Sequence, residues 1–182
     1  MKILEKFTTK KGRIVEIVEP TMELLDKFLE FSNKLAKEDT FLTFYPAKLY
    51  TLEEERKCLS DNIDQVKNGS GLFYWVIFNN QVIGTVDIRR GNSVRNWHVG
   101  KVGLMIDQDF RGDGLGKFLM KFILEKAKKA GMKTASLTVF SDNDIAISLY
   151  NKLGFKEWGR LPDGLYRKKK FSDAVKMYLE LQ

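Results

Sequence analysis

The chain has 182 residues with 43% hydrophobic and 30% charged content, an ordinary globular balance that suits one α/β domain over residues 1–182. Its lone cysteine, Cys58, excludes an internal disulfide and a cysteine-cluster metal centre, and its lone histidine, His98, leaves the usual zinc sets short of ligands. The formal charge of +7 favours an anionic partner without choosing between a phosphate-bearing cofactor and a nucleic acid.

Residues 13–18 (RIVEIV) alternate like a strand, and Pro20-Thr21 precede residues 22–36, where Leu24, Leu25, Phe28, Leu29, Phe31 and Leu35 recur at helical spacing. The aromatics Phe41, Phe44, Tyr45 and Tyr50 follow, either as packing or as a wall for a substrate. Thr51 and Glu54 have the spacing of a capping box, so a second helix is expected to run to Lys67 and stop before Asn68-Gly69-Ser70-Gly71. Two β-rich runs, 72–78 and 81–90, flank Asn79-Asn80, residues that tolerate positive φ and suit a tight hairpin turn. A third strand is expected over 97–106, with Gly100 and Gly103 permitting a bulge or the close approach of another backbone. After a glycine-rich turn come a helix to Ala130, a strand over 133–140, a helix over 144–153, and β-rich segments at 155–161 and 174–181. The expected fold is α/β (α+β), a mixed and largely antiparallel central sheet flanked by helices.

No apolar run reaches the roughly eighteen residues of a membrane span, and the first residues lack an apolar signal core, so a cytoplasmic location without membrane association is expected. The basic runs Lys10-Lys11, Arg89-Arg90 and 168–170 are short and scattered. They read as solvated surface, and no nucleic-acid partner is expected.

The stretch with chemistry in it is 104–117. A strand end, Leu104-Met105-Ile106, is followed by the turn Arg111-Gly112-Asp113-Gly114-Leu115-Gly116-Lys117 and then by an amphipathic helix carrying Phe118, Leu119, Phe122, Ile123, Leu124 and Ala127. Glycines let a backbone adopt positive φ and approach a ligand closely, while free N–H groups at a helix start point at phosphate oxygens. The turn lacks the Gly-Lys-Ser/Thr ending of a P-loop and the G-x-G-x-x-G spacing of a dinucleotide fingerprint.

Arg111, Gly114 and Gly116 resemble the Gln/Arg-x-x-Gly-x-Gly/Ala signature of the GNAT superfamily of N-acetyltransferases. Downstream, Asn143, Ala146, Leu149, Tyr150, Gly154 and Phe155 are similar to that family's Asn-x-x-Ala-x-x-Leu-Tyr-x-x-x-Gly-Phe segment. The resemblance spans about residues 97–158 and implies acetyl-CoA as cosubstrate, no metal, and an amine acceptor, with a homodimer compatible. By position it implies that Leu104, Met105 and Ile106 present backbone groups to the pantetheine arm. Arg111, Gly112, Asp113, Gly114, Leu115, Gly116 and Lys117 then form the pyrophosphate turn, Asn143 contacts the cofactor arm, and Tyr150 is the general acid toward the departing thiolate. Direct transfer in a ternary complex is implied, with a backbone N–H near Met105 stabilising the oxyanion.

An alkylammonium with a pKa of about 10.4 must lose a proton before it attacks. Relatives carry a glutamate for this where the present chain has Thr138 or Gly100. His98, with an unperturbed pKa of about 6.5, and Asp87, on the neighbouring strand, are the two candidate bases; each also reads as an ordinary structural residue. With no matching glutamate, a non-catalytic acyl-CoA-binding regulatory module is the alternative function.

Overall fold

A computed structural model describes residues 2–43 and 48–182. Among these residues, eight strands form one sheet: β1 (Ile3–Thr8), β2 (Ile14–Val18), β3 (Gly71–Phe78), β4 (Gln81–Arg90), β5 (Val99–Ile106), β6 (Thr134–Phe140), β7 (Lys156–Arg167) and β8 (Lys170–Glu180). Their order is β1-β2-β3-β4-β5-β6-β8-β7, and every neighbouring pair is antiparallel except β5 with β6. The mixed, largely antiparallel sheet expected from the sequence is present.

Among the described residues, four helices cover its two faces: α1 (Leu25–Glu38), α2 (Leu52–Lys67), α3 (Leu115–Lys129) and α4 (Asp144–Lys152). Period-two alternation divides the strand residues between the faces. Phe73, Trp75 and Ile77 of β3 meet Leu25, Phe28, Phe31 and Leu35 of α1 and Leu59 of α2. Tyr74, Val76, Val86 and Ile88 meet Leu115, Leu119, Phe122 and Ile123 of α3, and α4 adds Leu149 and Tyr150 to that cluster.

The local signals hold where chemistry enforces them. Thr51 accepts from the Glu54 N–H at 3.3 Å, and Glu54 accepts from the Thr51 N–H at 2.9 Å, so the capping box closes both ways. Thr51→Ala is expected to cost roughly 0.5–2 kcal/mol, read as a lower denaturation midpoint at unchanged slope. Asn79 (φ 47°) and Asn80 (φ 60°) make the left-handed hairpin turn.

Several expectations need correction. β1 was not anticipated; it is an edge strand whose residues are half or fully exposed, so its alternation carries no strong apolar signal. The first helix opens with a 3-10 turn, Met22–Leu24, and α1 continues to Glu38. The third strand begins at Val99, and Trp97 and His98 belong to the preceding turn. The β4–β5 register runs without a shift, so no bulge forms at Gly100 or Gly103. What those glycines admit is side chains: a Cβ at Gly100 would lie 2.5 Å from Ile88 and 2.7 Å from the Met132 sulfur, and one at Gly103 would collide with the Asp87 carboxylate. The β7–β8 hairpin is longer than expected, with its register interrupted between Leu161 and Leu165. Phe44 and Tyr45 lie outside the described residues.

One topological feature matters most for a site. β5 and β6 pair only at Val99↔Thr134, Gly100↔Ala135 and Lys101↔Ser136, while β6 stays paired with β8 as far as Phe140. The two parallel strands therefore separate after Lys101 and Ser136. Their C-terminal halves border a gap in the sheet, with the starts of α3 and α4 following the two strand ends.

Candidate active site

The gap leaves one edge of β5 without a strand partner, and the ladder shows which backbone groups occupy that edge. The Asp107 N–H donates to Ile83 O at 2.9 Å and the Gly91 N–H to Val99 O at 3.0 Å. Both pairs belong to the β4–β5 register, so by alternation Met105 and Gly103 also direct their backbone groups at β4. Leu104 and Ile106 direct theirs into the gap. The sequence expectation of an N–H near Met105 is thus refined: Met105 pairs with Thr85, and the gap-facing groups are its two neighbours'.

The turn after β5 is built for close approach. Gly112 (φ 73°) and Gly114 (φ 84°) occupy the left-handed region, and a Cβ at Gly112 would meet nothing within 4 Å. Gly114 is the N-cap of α3, so no side chain caps that helix, and its first turn holds no acidic residue. The first N–H groups and the helix dipole are left for an anion. Gly116 brings the separate sequence segments together. A Cβ there would lie 3.4 Å from Ile106, 3.5 Å from Leu149 and 3.8 Å from Leu104, so the turn, the β5 edge and α4 converge at one point.

Two charged residues of the turn have structural duties. Arg111 donates from Nε to Ile106 O at 2.8 Å and from Nη2 to Glu38 Oε2 at 2.6 Å, which ties the end of α1 to the end of β5. The Asp113 side chain is sealed from solvent and accepts from Arg13 Nη2 at 2.6 Å and from the Lys11 N–H at 2.8 Å. Burial pushes its pKa up, but these donors and Thr9 pull it down further, to about 2. Its folded value is depressed, so its stabilisation is complete above the usual carboxylate value of about 3.9 and is lost as pH falls toward 2. Denaturation midpoints of the wild type and Asp113→Asn are expected to differ at pH 5 and converge across that window.

Asn143 is the N-cap of α4 and accepts from the Ala146 N–H at 3.2 Å, which leaves its side-chain amide donors outside the cap. Tyr150, on the next turns of α4, packs beside Phe155 with ring centroids 5.7 Å apart. Burial pushes its phenol up to about 12.

The candidate bases part company. His98 is exposed at the opposite end of β5, and six residues of strand place it roughly 20 Å from Leu104. The structure does not bring it to Tyr150 or the glycine turn. Asp87 faces Gly103 across the β4–β5 ladder, 9% exposed, and its carboxylate fills the space a side chain at 103 would take. Burial raises its pKa, and the nearby charges of Arg89 and Lys101 only partly oppose this. Gly100 has no room for a glutamate, because Ile88 and Met132 occupy the volume.

Glu38 is a residue that sequence reasoning missed. One oxygen holds Arg111, and the other is buried with no hydrogen-bond partner among the described residues. Phe41, three residues on, packs edge-on against Phe140 at the end of β6 with centroids 5.6 Å apart. The end of α1 thus reaches both strands that border the gap. A lone glutamate at the end of a helix carried no sequence signal. Among the described residues, no group of three or more His, Cys, Asp or Glu side chains is arranged to hold a metal, and no helix is long and apolar enough to cross a membrane.

A model of the acetyltransferase (GNAT) family matches residues 34–155. The chain belongs to the GNAT acetyltransferase family. The matched region contains the β5/β6 gap, the glycine turn and the whole of α4. A crystal structure of a GNAT-family acetyltransferase from Streptococcus pneumoniae aligns over 92% of this chain and 99% of its own, at 26% identity and a TM-score of 0.82. The fold is also shared, at 16% identity and a TM-score of 0.78 over 92% of this chain and 94% of the other, with yncA, a putative acetyltransferase from Salmonella typhimurium, solved with its cofactor acetyl-CoA. Among curated proteins, the putative phosphinothricin acetyltransferase YwnH of Bacillus subtilis (strain 168) is 34% identical over 62 residues. The match covers 34% of this chain and 38% of that relative's length, so sequence likeness to it is confined to about a third of each protein.

Proposed function

We propose that this chain is an acetyl-CoA-dependent N-acetyltransferase that transfers the acetyl group directly to a primary amine in a ternary complex. The observation that carries the reading is the convergence at Gly116 of the free β5 edge, the uncapped start of α3, and α4 with Tyr150. A pantetheine arm is an extended chain of amides, and the gap-facing groups of Leu104 with the Ile106 N–H offer it the hydrogen bonds of a missing strand, the Ile106 carbonyl being held by Arg111. The N–H groups of Gly112, Gly114, Leu115, Gly116 and Lys117 hold the pyrophosphate; Arg111 and Asp113 keep that turn in shape. Asn143 donates to the cofactor arm.

In the chemical step the amine nitrogen attacks the thioester carbonyl, the C–S bond breaks, and the nitrogen loses a proton. A gap-facing N–H of Leu104 or Ile106 stabilises the oxyanion. With a phenol pKa of about 12 against about 8.5 for an ordinary thiol, complete proton transfer from Tyr150 to the thiolate is uphill by roughly 5 kcal/mol. Tyr150 therefore acts mainly as a hydrogen-bond donor to the departing sulfur, and the thiolate takes its proton from solvent after release. Asp87 receives the amine proton, directly or through water. Its burial keeps a carboxylate more basic than usual, and the absent side chain at Gly103 leaves the room in which that carboxylate sits beside β5.

The reading is tested by titrating acetyl-CoA into the protein by calorimetry and then assaying CoA thiol release with a panel of primary amines. Binding at micromolar concentration and amine-dependent release are expected. Absence of binding at millimolar acetyl-CoA overturns the cofactor assignment. Binding without release for any amine favours the regulatory acyl-CoA-binding module instead.

A further inference from the structure

We infer that Lys10, at the tip of the β1–β2 hairpin, is a cofactor-binding residue that contacts the diphosphate of acetyl-CoA. The inference rests on the proposed pyrophosphate role of the turn and adds a wall that the two sequence motifs do not contain.

The hairpin tip is attached to the turn at several points. The Lys10 N–H donates to Asp113 O at 3.1 Å, the Lys11 N–H to Asp113 Oδ1 at 2.8 Å, and Arg13 Nη2 to Asp113 Oδ2 at 2.6 Å. Phe7, on the same hairpin, stacks on Phe118 of α3 with centroids 4.3 Å apart. The tip is closed on itself by Thr9, whose N–H donates to Arg13 O at 2.8 Å. These contacts place the Lys10 stem across the start of α3: its Cγ and Cε each lie 3.6 Å from the point a Cβ on Gly114 would occupy.

That placement is electrostatically unbalanced. The Lys10 stem lies against the start of α3, where the positive end of the helix dipole falls, and Lys117 is an exposed residue of that helix's first turn. The carboxylate nearest in the chain, Asp113, is turned away and neutralised by Arg13, and Asp109 is paired with Lys34. Neither Lys10 nor Lys117 forms an ion pair among the described residues. A doubly charged diphosphate at the turn completes this arrangement, with the backbone N–H groups on one side and Lys10 on the other. Lysine suits the role as a point charge on a flexible stem. Asp113 then acts as a positioning residue, since it carries the hairpin that carries Lys10.

The test is calorimetric titration of CoA and of 3′-dephospho-CoA into the full chain and its Lys10→Ala, Lys10→Arg and Lys6→Ala variants. Lys10 is exposed, so its replacement leaves the fold intact, and Lys6 pairs with Glu16 on the body of the same hairpin. Lys10→Ala is expected to weaken both ligands roughly five- to tenfold, Lys10→Arg to restore most of the affinity, and Lys6→Ala to change neither. Unchanged affinity in Lys10→Ala overturns the inference. A penalty present with CoA and absent with 3′-dephospho-CoA overturns the diphosphate assignment by moving the contact to the 3′-phosphate. Failure of the wild type to bind either ligand would instead remove the cofactor reading on which the inference rests.

Discussion

Tyr150→Phe is expected to lower the turnover number about 10²-fold while leaving the dissociation constant for acetyl-CoA within about twofold. The phenol oxygen is one atom of a large ligand interface, so its loss costs little in the ground state. In the proposed transition state it faces a sulfur gaining negative charge in a partly dry site, where removal of one aimed donor typically costs 10²–10³ in rate. Because the phenol is held near 12 by burial, the wild type should show no basic limb from Tyr150 below about pH 10, where a free phenol would titrate. Single-turnover rates with saturating acetyl-CoA separate this effect from product release. An unchanged rate of the chemical step in Tyr150→Phe would remove the residue from the mechanism.

Asp87→Asn is expected to reduce kcat by about 10²–10³ near neutral pH, the usual scale of a general base. The wild-type rate should fall on acidification through a pKa above the ordinary carboxylate value, because burial raises it more than Arg89 and Lys101 lower it, and that limb should vanish in the variant. Stability should move the other way. A group whose folded pKa is raised is penalised while ionised, and the penalty disappears as pH falls below the folded value. Near neutral pH the neutral asparagine is therefore expected to leave the denaturation midpoint unchanged or higher. A merely structural Asp87 would lose stability together with activity, and an acidic limb that persists in Asp87→Asn would exclude it as the base.

Much of the fold was legible because its signals are local. The Thr51–Glu54 capping box and the Asn79-Asn80 turn each need only a few adjacent residues, and both formed as read. The helices and inner strands declared themselves through apolar spacing. β1 did not, since an edge strand with one sparsely apolar face has little pattern to show.

The donor half of the proposed site has local signals for a similar reason: the glycine turn and the Asn143–Tyr150 segment are compact runs of sequence. Their meeting at Gly116 is a tertiary fact, but each run announces itself. The acceptor half depends on contacts between distant segments. Asp87 gains its environment from Gly103, sixteen positions away in the chain, and Glu38 gains its partner Arg111 from the far side of three strands. His98 shows the converse. Its nominal strand face and titration range made it attractive, yet a shift of two residues in the start of β5 leaves it exposed in a turn at the wrong end. Asp113 was read as part of the phosphate cradle by position alone, and its burial against Arg13 assigns its side chain to holding the hairpin.

The most direct test is a single experiment that follows both products of transfer: acetyl-CoA, the protein and a panel of unhindered primary amines, with free CoA thiol and N-acetylated amine quantified together. Thiol and acetylamine should appear in equal amounts for at least one amine, at a rate that collapses in Tyr150→Phe. A protein that binds acetyl-CoA yet yields neither product with any amine would contradict the assignment of this chain as an N-acetyltransferase.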